Sequence, residues 1–416
     1  MPADAVPSAT DVLVVGAGPA GSAAAAWAAL AGHDVVLADA AVFPRDKTCG
    51  DGLTPRAIAE LDRLGLGDWV RSLARNRGLR AAGFGRVWQL PWPGGGFPDH
   101  GSAVPRTELD ARIRKVAVEA GARPLDGARA VDVERDGDRV TAVVFENGDD
   151  ESFRVPCRRL VIADGVRSPV GRMLGRTWHR ETAYGVAARG YVRSGRSDDE
   201  WISSHLELRG SEGELLSGYG WVFPLGAAAG EVNIGVGTLA TARRPAGVAL
   251  KALLETYTDA RRDEWQIEGP VRAPASALLP MGGAVSGVAG RNWALIGDAA
   301  GCVNPLNGEG IDYGLETGRS VVELFGSDDW SAAWPAELRR HYGEAFSIAR
   351  RLAGLLTLPR FLPAAGPVGM RSRRLMTVAL RVMGNLVTDA DRDLVARTWR
   401  TAGKLSLRHD ERRPFS

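Results

Sequence analysis

The pattern Gly16-x-Gly18-x-x-Gly21 provides the first residues of this chain whose spacing can do chemistry. Gly16 allows a tight turn, Gly18 lets the backbone approach a pyrophosphate, and Gly21 lets a helix pack closely on a strand. A short apolar run within residues 11–15 precedes the glycines, and an alanine-rich run over residues 20–31 follows them. This order is typical of a dinucleotide site, where the free N–H groups at a helix start face phosphates. We therefore predict nucleotide contacts at Gly16, Gly18, Pro19, Ala20 and Gly21.

Asp39 ends a second apolar run, residues 35–38, and completes a strand–helix–strand unit. A carboxylate at this position bonds the ribose hydroxyls of a dinucleotide and repels the 2′-phosphate of NADP. The bound nucleotide is therefore predicted to be FAD or NAD. A purely structural glycine turn is the alternative, and the strand, helix and acid in this order argue against it.

Two further acid–glycine turns follow apolar runs far down the chain, Asp164-Gly165 after residues 160–162 and Gly297-Asp298 after residues 293–296. A glycine-rich stretch up to Ile311 comes next, and a helix starting near Gly310 would stabilise negative charge on a ligand. These segments resemble FAD proteins of the aromatic-hydroxylase class. That resemblance favours FAD over NAD and implies contacts at Asp164, Gly165, Gly297, Asp298, Gly310 and Ile311.

Two more segments resemble the geranylgeranyl reductase family of FAD-dependent oxidoreductases. Residues 47–50 match its Lys-x-Cys-Gly segment, and residues 219–237 match its Tyr-x-Trp-x-Phe-Pro and Gly-x-Gly signature. Leu216 replaces an expected proline, and the gap between Pro224 and Gly235 is slightly long. The resemblance runs from Asp11 nearly to the C-terminus.

This resemblance implies roles for individual residues. Further flavin contacts are implied at Cys49, Gly50, Asp51, Gly52, Arg106 and Ala130. Substrate contacts are implied at Tyr219, Trp221, Phe223 and Pro224. Cys49 and Tyr219 are the catalytic candidates, and a bound water is the third possible proton donor. The alternatives are a buried structural cysteine at Cys49 and a solvated arginine at Arg106.

The resemblance is to actinobacterial members of the family, and it implies an FAD-dependent reductase. The implied reaction saturates a C=C bond of one isoprene unit in the tail of a lipid quinone, menaquinone. Because the chain has one glycine fingerprint, electrons are expected from transiently bound NAD(P)H or from a redox protein. The alternatives are a flavin-dependent monooxygenase or halogenase, an electron-transfer flavoprotein feeding the quinone pool, and a non-enzymatic NAD-binding module.

Composition limits the remaining classes. The net charge of +2 over 416 residues gives no field that favours nucleic acid. Three cysteines predict a reduced intracellular protein without a disulfide framework or a Cys-ligated iron–sulfur cluster, and we predict no metal site. Residues 1–10 lack the features of a signal peptide, and no apolar run is long enough to span a bilayer.

The segment from Phe346 to Thr388 contains seven arginines and no acid, with leucines and methionines between them. Basic amphipathic segments of this kind can lie in the interface of an anionic membrane. This favours peripheral association with the cytoplasmic face of the cell membrane. The alternative is a helix pair that closes a substrate tunnel, and the two interpretations are compatible.

The predicted fold class is α/β. A Rossmann-like FAD-binding domain of the aromatic-hydroxylase or glutathione-reductase type holds an inserted antiparallel β-rich substrate domain and precedes a C-terminal helical region. The predicted FAD-binding domain is discontinuous, and its parts are residues 1–80, 101–180 and 285–340. The predicted substrate domain comprises residues 81–100 and 181–284, and the helical region comprises residues 341–416.

Within these ranges we expect a helix over residues 106–120 and a hairpin over residues 128–134 and 140–145. Helices are expected from about Tyr342 onward, and a loose polar tail is expected from about Arg408.

Overall fold

The computed structural model describes residues 7–416. Residues 1–6, which belong to the segment predicted to lack a signal peptide and to the first predicted FAD-domain range, lie outside the described residues. The strands up to residue 162 are β1 (Thr10–Val15), β2 (Val35–Asp39), β3 (Gly52–Leu53), β4 (Arg75–Asn76), β5 (Gly78–Gly83), β6 (Arg86–Pro91), β7 (Gly101–Ala103), β8 (Arg123–Asp126), β9 (Arg129–Asp136), β10 (Arg139–Glu146) and β11 (Ser152–Ile162). The later strands are β12 (Thr177–Trp178), β13 (Tyr184–Ser194), β14 (Trp201–His205), β15 (Gly218–Pro224), β16 (Glu231–Ala240), β17 (Ile267–Leu279), β18 (Val285–Ser286) and β19 (Trp293–Leu295).

The helices follow the same order along the chain. The α-helices up to residue 265 are α1 (Pro19–Leu30), α2 (Pro55–Leu61), α3 (Gly67–Ser72), α4 (Arg106–Glu119), α5 (Pro169–Met173), α6 (Leu250–Asp259) and α7 (Arg262–Trp265). The remaining α-helices are α8 (Ile311–Ser320), α9 (Ala333–Leu356), α10 (Phe361–Met370), α11 (Arg373–Met383) and α12 (Leu394–Arg408).

The first large sheet has a parallel core formed by β8, β2, β1, β11 and β19. Val12, Leu13 and Val14 of β1 are fully buried, because elements cover both faces of this sheet. The first half of β11 pairs antiparallel with β10, and its second half pairs with β1 and β19. The four apolar runs predicted as nucleotide-fold strands therefore lie side by side, although the last comes from far along the chain.

The contact of α1 with β1 and α8 leaves no room for side chains. A Cβ atom on Gly21 would lie 1.7 Å from the carbonyl oxygen of Gly16, and one on Gly318 would lie 2.5 Å from the carbonyl oxygen of Ala20. Glycine at these positions thus brings the start of α1 against both the turn after β1 and the helix α8.

The second large sheet has the order β17-β13-β16-β15-β14-β5-β6 and is antiparallel except between β14 and β5. Val222, Ile234 and Val236 on one face form a buried core with Leu253 and Leu254 of α6. Because side chains alternate along a strand, odd-numbered residues of β15 face the opposite side.

The C-terminal region is helical, but its start was predicted wrongly. The first helix, α9, begins at Ala333 instead of near Tyr342. Trp334, Leu338, Tyr342 and Phe346 are buried at intervals of four residues, so one apolar face extends through the whole helix. The helix predicted over residues 106–120 and the predicted hairpin are confirmed as α4 and β9–β10, with boundaries within a few residues.

The prediction of a loose tail after Arg408 was also wrong. Phe415 is 1% exposed, its ring lies 5.9 Å from that of Phe346, and its amide donates to the carbonyl of Gly283 at 2.9 Å. The Phe415 ring and the ion pair between Asp410 and Arg351 thus anchor the end of the chain on α9.

Over residues 7–416, no helix has both the length and the apolarity required to cross a membrane. The same residues hold no cluster of three or more His, Cys, Asp or Glu side chains suited to a metal ion.

We expect Phe415→Ala to lower the free energy of unfolding by about 3 kcal/mol, since removal of a buried aromatic ring costs roughly 3–5 kcal/mol. Thermal and denaturant unfolding followed by circular dichroism measures the change. Leu405→Ala is the control, because Leu405 is 51% exposed. Equal losses in the two variants would contradict the buried position of the tail.

Candidate active site

A cavity of about 820 Å³ is lined by residues of both large sheets and of the C-terminal helices. Its lining is mostly apolar, and its volume lies in the range of about 300–1,000 Å³ that is usual for ligand pockets. The predicted site residues that line it are Gly18, Pro19, Ala20, Cys49, Gly50, Asp51, Gly52, Arg106, Gly165, Tyr219, Trp221, Phe223, Gly297, Asp298, Gly310 and Ile311. The structure thus brings together residues separated by almost 300 positions in the sequence.

Two arginines flank the glycine turn. A Cβ atom on Gly18 would lie 3.5 Å from Nη2 of Arg45 and 3.7 Å from Nη2 of Arg106. Both guanidinium groups donate to the buried carboxylate of Asp110, and Arg106 does so through Nε and Nη2 at 2.6 and 2.7 Å. Arg106 is only 4% exposed, so its interpretation as a solvated arginine was wrong. Two fixed cations beside the N-terminus of α1 form a site suited to phosphate.

Six predicted residues do not line the cavity, namely Gly16, Gly21, Asp39, Ala130, Asp164 and Pro224. The oxygens of Asp39 accept hydrogen bonds from the amides of Ala17 at 2.7 Å and Ala41 at 2.8 Å, so this carboxylate also fixes the glycine turn. Asp164 accepts from the amide of Val170 at 2.9 Å, and burial raises its pKa to about 6.

Ala130 lies on β9, opposite Phe145 of β10, in the antiparallel extension of the first sheet. Pro224 is an even-numbered residue of β15 and therefore lies on the other face of that strand from the aromatic triplet. Neither Ala130 nor Pro224 therefore contacts the cavity.

The start of α8 forms a further part of the proposed nucleotide site. Gly310 precedes this helix and Ile311 is its first residue, and both line the cavity. Nζ of Lys47 lies 3.3 Å from Oδ2 of Asp298 across the cavity edge. The unpaired backbone N–H groups at this helix start favour negative charge on a ligand.

The aromatic triplet Tyr219, Trp221 and Phe223 lies on one face of β15. The Trp221 ring centroid is 6.0 Å from that of Tyr219 and 6.2 Å from that of Phe223. A Cβ atom on Gly52 would lie 3.0 Å from the Phe223 ring, so residues 49–52 pack directly against this triplet.

A hydrogen-bond network ties the triplet to Asp51. Nε1 of Trp221 donates to Oδ1 of Asn233 at 2.9 Å, and Nδ2 of Asn233 donates to the carbonyl of Cys49 and to Oδ2 of Asp51, both at 2.9 Å. The hydroxyl of Tyr191 donates to the same Oδ2 at 2.7 Å. Sequence reasoning missed Asn233 and Tyr191.

Burial raises the pKa values of three acidic groups in the cavity lining. It raises the pKa of the Cys49 thiol, although the nearby Arg106 guanidinium opposes the shift. Burial, followed by the negative charge of Glu309, raises the pKa of Tyr219. Burial raises the pKa of Asp51 to about 6, against the hydrogen bonds from Tyr191 and Asn233. The dry lining therefore disfavours the anionic forms of these three groups.

The arginine-rich segment closes one side of the cavity. Its lining residues are Leu352, Leu356, Phe361, Leu362, Gly366, Gly369, Met370, Leu375, Met376, Val378, Ala379, Leu380, Val382, Met383 and Gly384. Leu375 is 53% exposed and Val378 is 38% exposed, although both line the cavity. These two residues of α11 therefore lie at the opening of the cavity, which we call its mouth.

The residues present fit FAD. The turn at Gly18 presents backbone without side chains between two guanidinium groups, and a second helix start, that of α8, lines the same cavity. A dinucleotide needs the first feature for its pyrophosphate, and a flavin ring that takes up negative charge needs the second.

Comparison with known proteins agrees with this geometry. Residues 9–202 match the FAD binding domain family. A menaquinone reductase from Mycolicibacterium smegmatis is 64% identical over 410 residues, which cover 98% of this chain and 99% of that protein. A digeranylgeranylglycerophospholipid reductase from Methanopyrus kandleri is 32% identical over 360 residues, which cover 83% of this chain and 90% of that protein.

The chain belongs to the family of these menaquinone and digeranylgeranylglycerophospholipid reductases. The predicted resemblance to the geranylgeranyl reductases is confirmed, and so are the FAD cofactor and the oxidoreductase class.

Solved structures confirm the predicted fold class. A geranylgeranyl bacteriochlorophyll reductase-like protein from Thermoplasma acidophilum has a TM-score of 0.73 at 20% identity and covers 95% of this chain and 99% of its own. A flavin-dependent brominase has a TM-score of 0.71 at 18% identity and covers 96% of this chain and 100% of its own. At such identities the likeness shows the FAD-binding α/β fold alone.

The structure gives a physical reason for the reductase signature in this family member. Gly235 of β16 lies opposite Trp221 of β15, and a Cβ atom on Gly235 would be 2.1 Å from Cζ2 of that ring. Gly237 lies opposite Tyr219, and a Cβ atom there would meet Trp221 only at 3.6 Å, an ordinary contact. The first glycine is thus the one that makes room for the tryptophan.

Gly235→Ala is expected to displace Trp221 and to lower the free energy of unfolding by about 1–3 kcal/mol, the usual cost of overpacking. Gly237→Ala is the matched control on the same strand and should leave stability within about 0.5 kcal/mol. Thermal unfolding of the two FAD-loaded proteins distinguishes them. Equal melting temperatures in the two variants would show that Trp221 can be displaced without loss of stability, and would contradict the prediction.

Proposed function

We propose that this chain is an FAD-dependent reductase that saturates one C=C bond in the isoprenoid tail of menaquinone. The observation that carries the proposal is the continuous apolar cavity. It extends from the glycine turn at Gly18, past the aromatic triplet, to an opening at Leu375 and Val378. A long apolar tail requires a channel of this kind, with its reactive part beside the flavin and the remainder leading outward.

The chemistry requires a dry and well-ordered site. An isolated alkene in a prenyl tail has no conjugated carbonyl, so it must gain a proton and a hydride equivalent in a coordinated way. When bound and reduced, FAD supplies the hydride equivalent. Tyr219, Trp221 and Phe223 hold the tail in place and exclude water, which fixes the reacting carbons close to the hydrogen sources.

The proposed cofactor contacts and the proposed substrate contacts lie on different parts of the fold. Most proposed cofactor contacts lie on or beside the first sheet and its helices, whereas Cys49 to Gly52 lead into the small sheet of β3, β7 and β4 and pack against the second sheet. All of them fall within residues 7–80, 101–180 and 285–340 of the predicted discontinuous domain. The substrate contacts lie on the second sheet, within residues 81–100 and 181–284. The predicted contacts outside the cavity, such as Asp39 and Ala130, are proposed for the adenosine half of FAD.

The test measures the tail directly. The purified FAD-loaded protein is reduced with dithionite under anaerobic conditions and incubated with menaquinone, and the lipid is reoxidised to the quinone before mass spectrometry. The expected product then carries two extra hydrogens in its tail. Dithionite makes the outcome independent of whether NAD(P)H or a redox protein is the natural donor. An unchanged tail after reoxidation would contradict the proposal, and a product that forms only when oxygen is present would indicate a monooxygenase or halogenase.

We further propose that the mouth of the cavity contacts the cytoplasmic face of the cell membrane. Arg360, Arg371, Arg373 and Arg374 are exposed and make no ion pair within residues 7–416. Exposed apolar side chains at Leu355, Leu358, Val368, Leu375 and Val378 lie in the same segment. Cations and apolar groups beside an opening suit an anionic lipid surface from which a lipid quinone enters.

Replacing Arg371, Arg373 and Arg374 together by Gln should weaken binding to phosphatidylglycerol-containing vesicles roughly 100-fold, at about 1 kcal/mol for each arginine. Vesicle sedimentation at low ionic strength measures the effect. The control variant replaces Arg158, Arg172 and Arg193, which are also exposed but lie on other elements. An equal loss in both variants would show that only net charge matters.

A further inference from the structure

The carboxyl group of Asp51 is the most unusual polar group in the cavity lining. Asp51 is 0% exposed, yet it lines the cavity beside the aromatic triplet. Its Oδ2 accepts hydrogen bonds from Tyr191 at 2.7 Å and from Asn233 at 2.9 Å. Its Oδ1 is buried and has no hydrogen-bond partner in the part of the chain that the structure describes.

The direction of the network fixes which oxygen carries the proton. Trp221 donates to Oδ1 of Asn233, so the amide of Asn233 must turn its Nδ2 toward Asp51. Tyr191 donates to the same oxygen of Asp51. Because Oδ2 accepts two hydrogen bonds, a proton on this carboxyl group resides on Oδ1, which has no acceptor among residues 7–416.

The surroundings of Asp51 favour a proton that is held but can be released. Burial raises its pKa to about 6, while the two hydrogen bonds and the charges of Arg189 and Arg106 act in the opposite direction. Those same groups stabilise the carboxylate that forms when the proton leaves. A general acid works best when its pKa lies near the operating pH.

The other candidate donors are weaker acids or are otherwise engaged. The pKa of the Cys49 thiol is raised by burial, and its sulfur accepts from the amide of Asp51 at 3.3 Å. The Tyr219 hydroxyl donates to the carbonyl of Asn307, and burial raises its pKa as well. Glu309 is also buried in the lining, and burial raises its pKa well above the usual value, but both of its oxygens are engaged. Its Oε1 accepts from the hydroxyl of Thr54, and its Oε2 accepts from Nδ2 of Asn307 at 3.4 Å.

We propose that Asp51 is the general acid of the reaction and delivers the proton from its Oδ1 to one alkene carbon of the bound tail. This role rests on the proposed function. The O–H bond of Asp51 breaks and a C–H bond forms, while the other alkene carbon takes the hydrogen and electron pair that the reduced cofactor supplies. The π bond is consumed, and the Asp51 carboxylate regains its proton from solvent between turnovers.

In this proposal Trp221, Asn233 and Tyr191 are positioning residues. The signature tryptophan orients the amide of Asn233, and that amide together with Tyr191 occupies Oδ2 of Asp51, which leaves Oδ1 to carry the proton. One chain of hydrogen bonds thus links the aromatic triplet to the proposed acid.

Asp51→Asn is the primary test. Asn tolerates the left-handed backbone that Asp51 adopts, with φ of 62°, and can accept the same two hydrogen bonds. The variant should retain FAD and bind menaquinone. The rate of tail saturation in a single turnover with the reduced protein should fall about 100-fold or more, in line with the contribution of general acids.

A second readout does not depend on turnover. Infrared difference spectra of the protein between pH 4 and pH 8 should contain a protonated carboxyl band that disappears with a midpoint near the pKa of about 6 and is missing in Asp51→Asn. Asp164→Asn identifies the other buried carboxyl group with a pKa of about 6. A wild-type spectrum without the Asp51 band would overturn the proposal.

The dependence on pH separates acid chemistry from a structural role. The single-turnover rate should fall as the pH rises through the pKa of Asp51, whose charged or titratable neighbours are Cys49, Arg106, Arg189 and Tyr191. Tyr191→Phe removes a hydrogen bond that lowers this pKa, so its profile should shift to higher pH. A merely structural role for Tyr191 would lower the rate without moving the profile.

The outcomes distinguish the two proposals. If the wild-type protein does not saturate the tail, the proposed function fails. If the wild-type protein does so and Asp51→Asn is equally fast, or if Glu309→Gln alone slows the reaction, the assignment of the acid fails. Loss of FAD from Asp51→Asn would make Asp51 a cofactor contact instead and would also overturn the assignment.

Discussion

The close approach of three backbone segments around Ala20 is the constraint on which the rest of the structure depends. The turn after β1, the start of α1 and the helix α8 meet there at distances that exclude any Cβ atom on Gly21 or Gly318, and Gly16 lies equally close to the carbonyl of Ala163, just after β11. The helix α8 begins almost 300 residues after the turn, and this contact places its start beside the proposed nucleotide site. The same packing leaves the backbone at Gly18 open to the cavity, so the constraint creates the cofactor site from two distant parts of the sequence.

The substrate side depends on a different close contact, between Gly235 and the ring of Trp221. That contact lets the tryptophan lie flat against the sheet while its Nε1 reaches Asn233. Asn233 in turn bonds both the backbone of Cys49 and the side chain of Asp51. The aromatic signature therefore does more than form an apolar wall, because it also locks the segment from Cys49 to Gly52 against the second sheet.

The sequence predicts well whatever depends on local pattern. Continuous apolar runs identified the parallel strands, and strand–glycine–helix order identified the turn at Gly16 to Gly21. Contacts between distant segments carry no such signal, which is why Arg45, Lys47, Asn233 and Tyr191 were missed. Arg45 and Lys47 lie within or next to the Lys-x-Cys-Gly segment, residues 47–50, which the sequence analysis recognised. Two basic residues in a segment expected to contact the cofactor are the signal that could have identified them. The packed position of Phe415 and the early start of α9 were missed for a related reason, since each is decided by aromatic contacts within the folded protein.

The apolar character of the cavity serves substrate binding and acid chemistry at once. A tail with no polar groups gains affinity only from apolar area removed from water, so the lining must be hydrophobic. The same lining removes water from Asp51, and this desolvation is the largest cause of its raised pKa. A more polar cavity would bind the tail less well and would also lower the pKa of Asp51. The affinity for the tail and the raised pKa of the proposed acid therefore depend on one property of the lining, its apolar character.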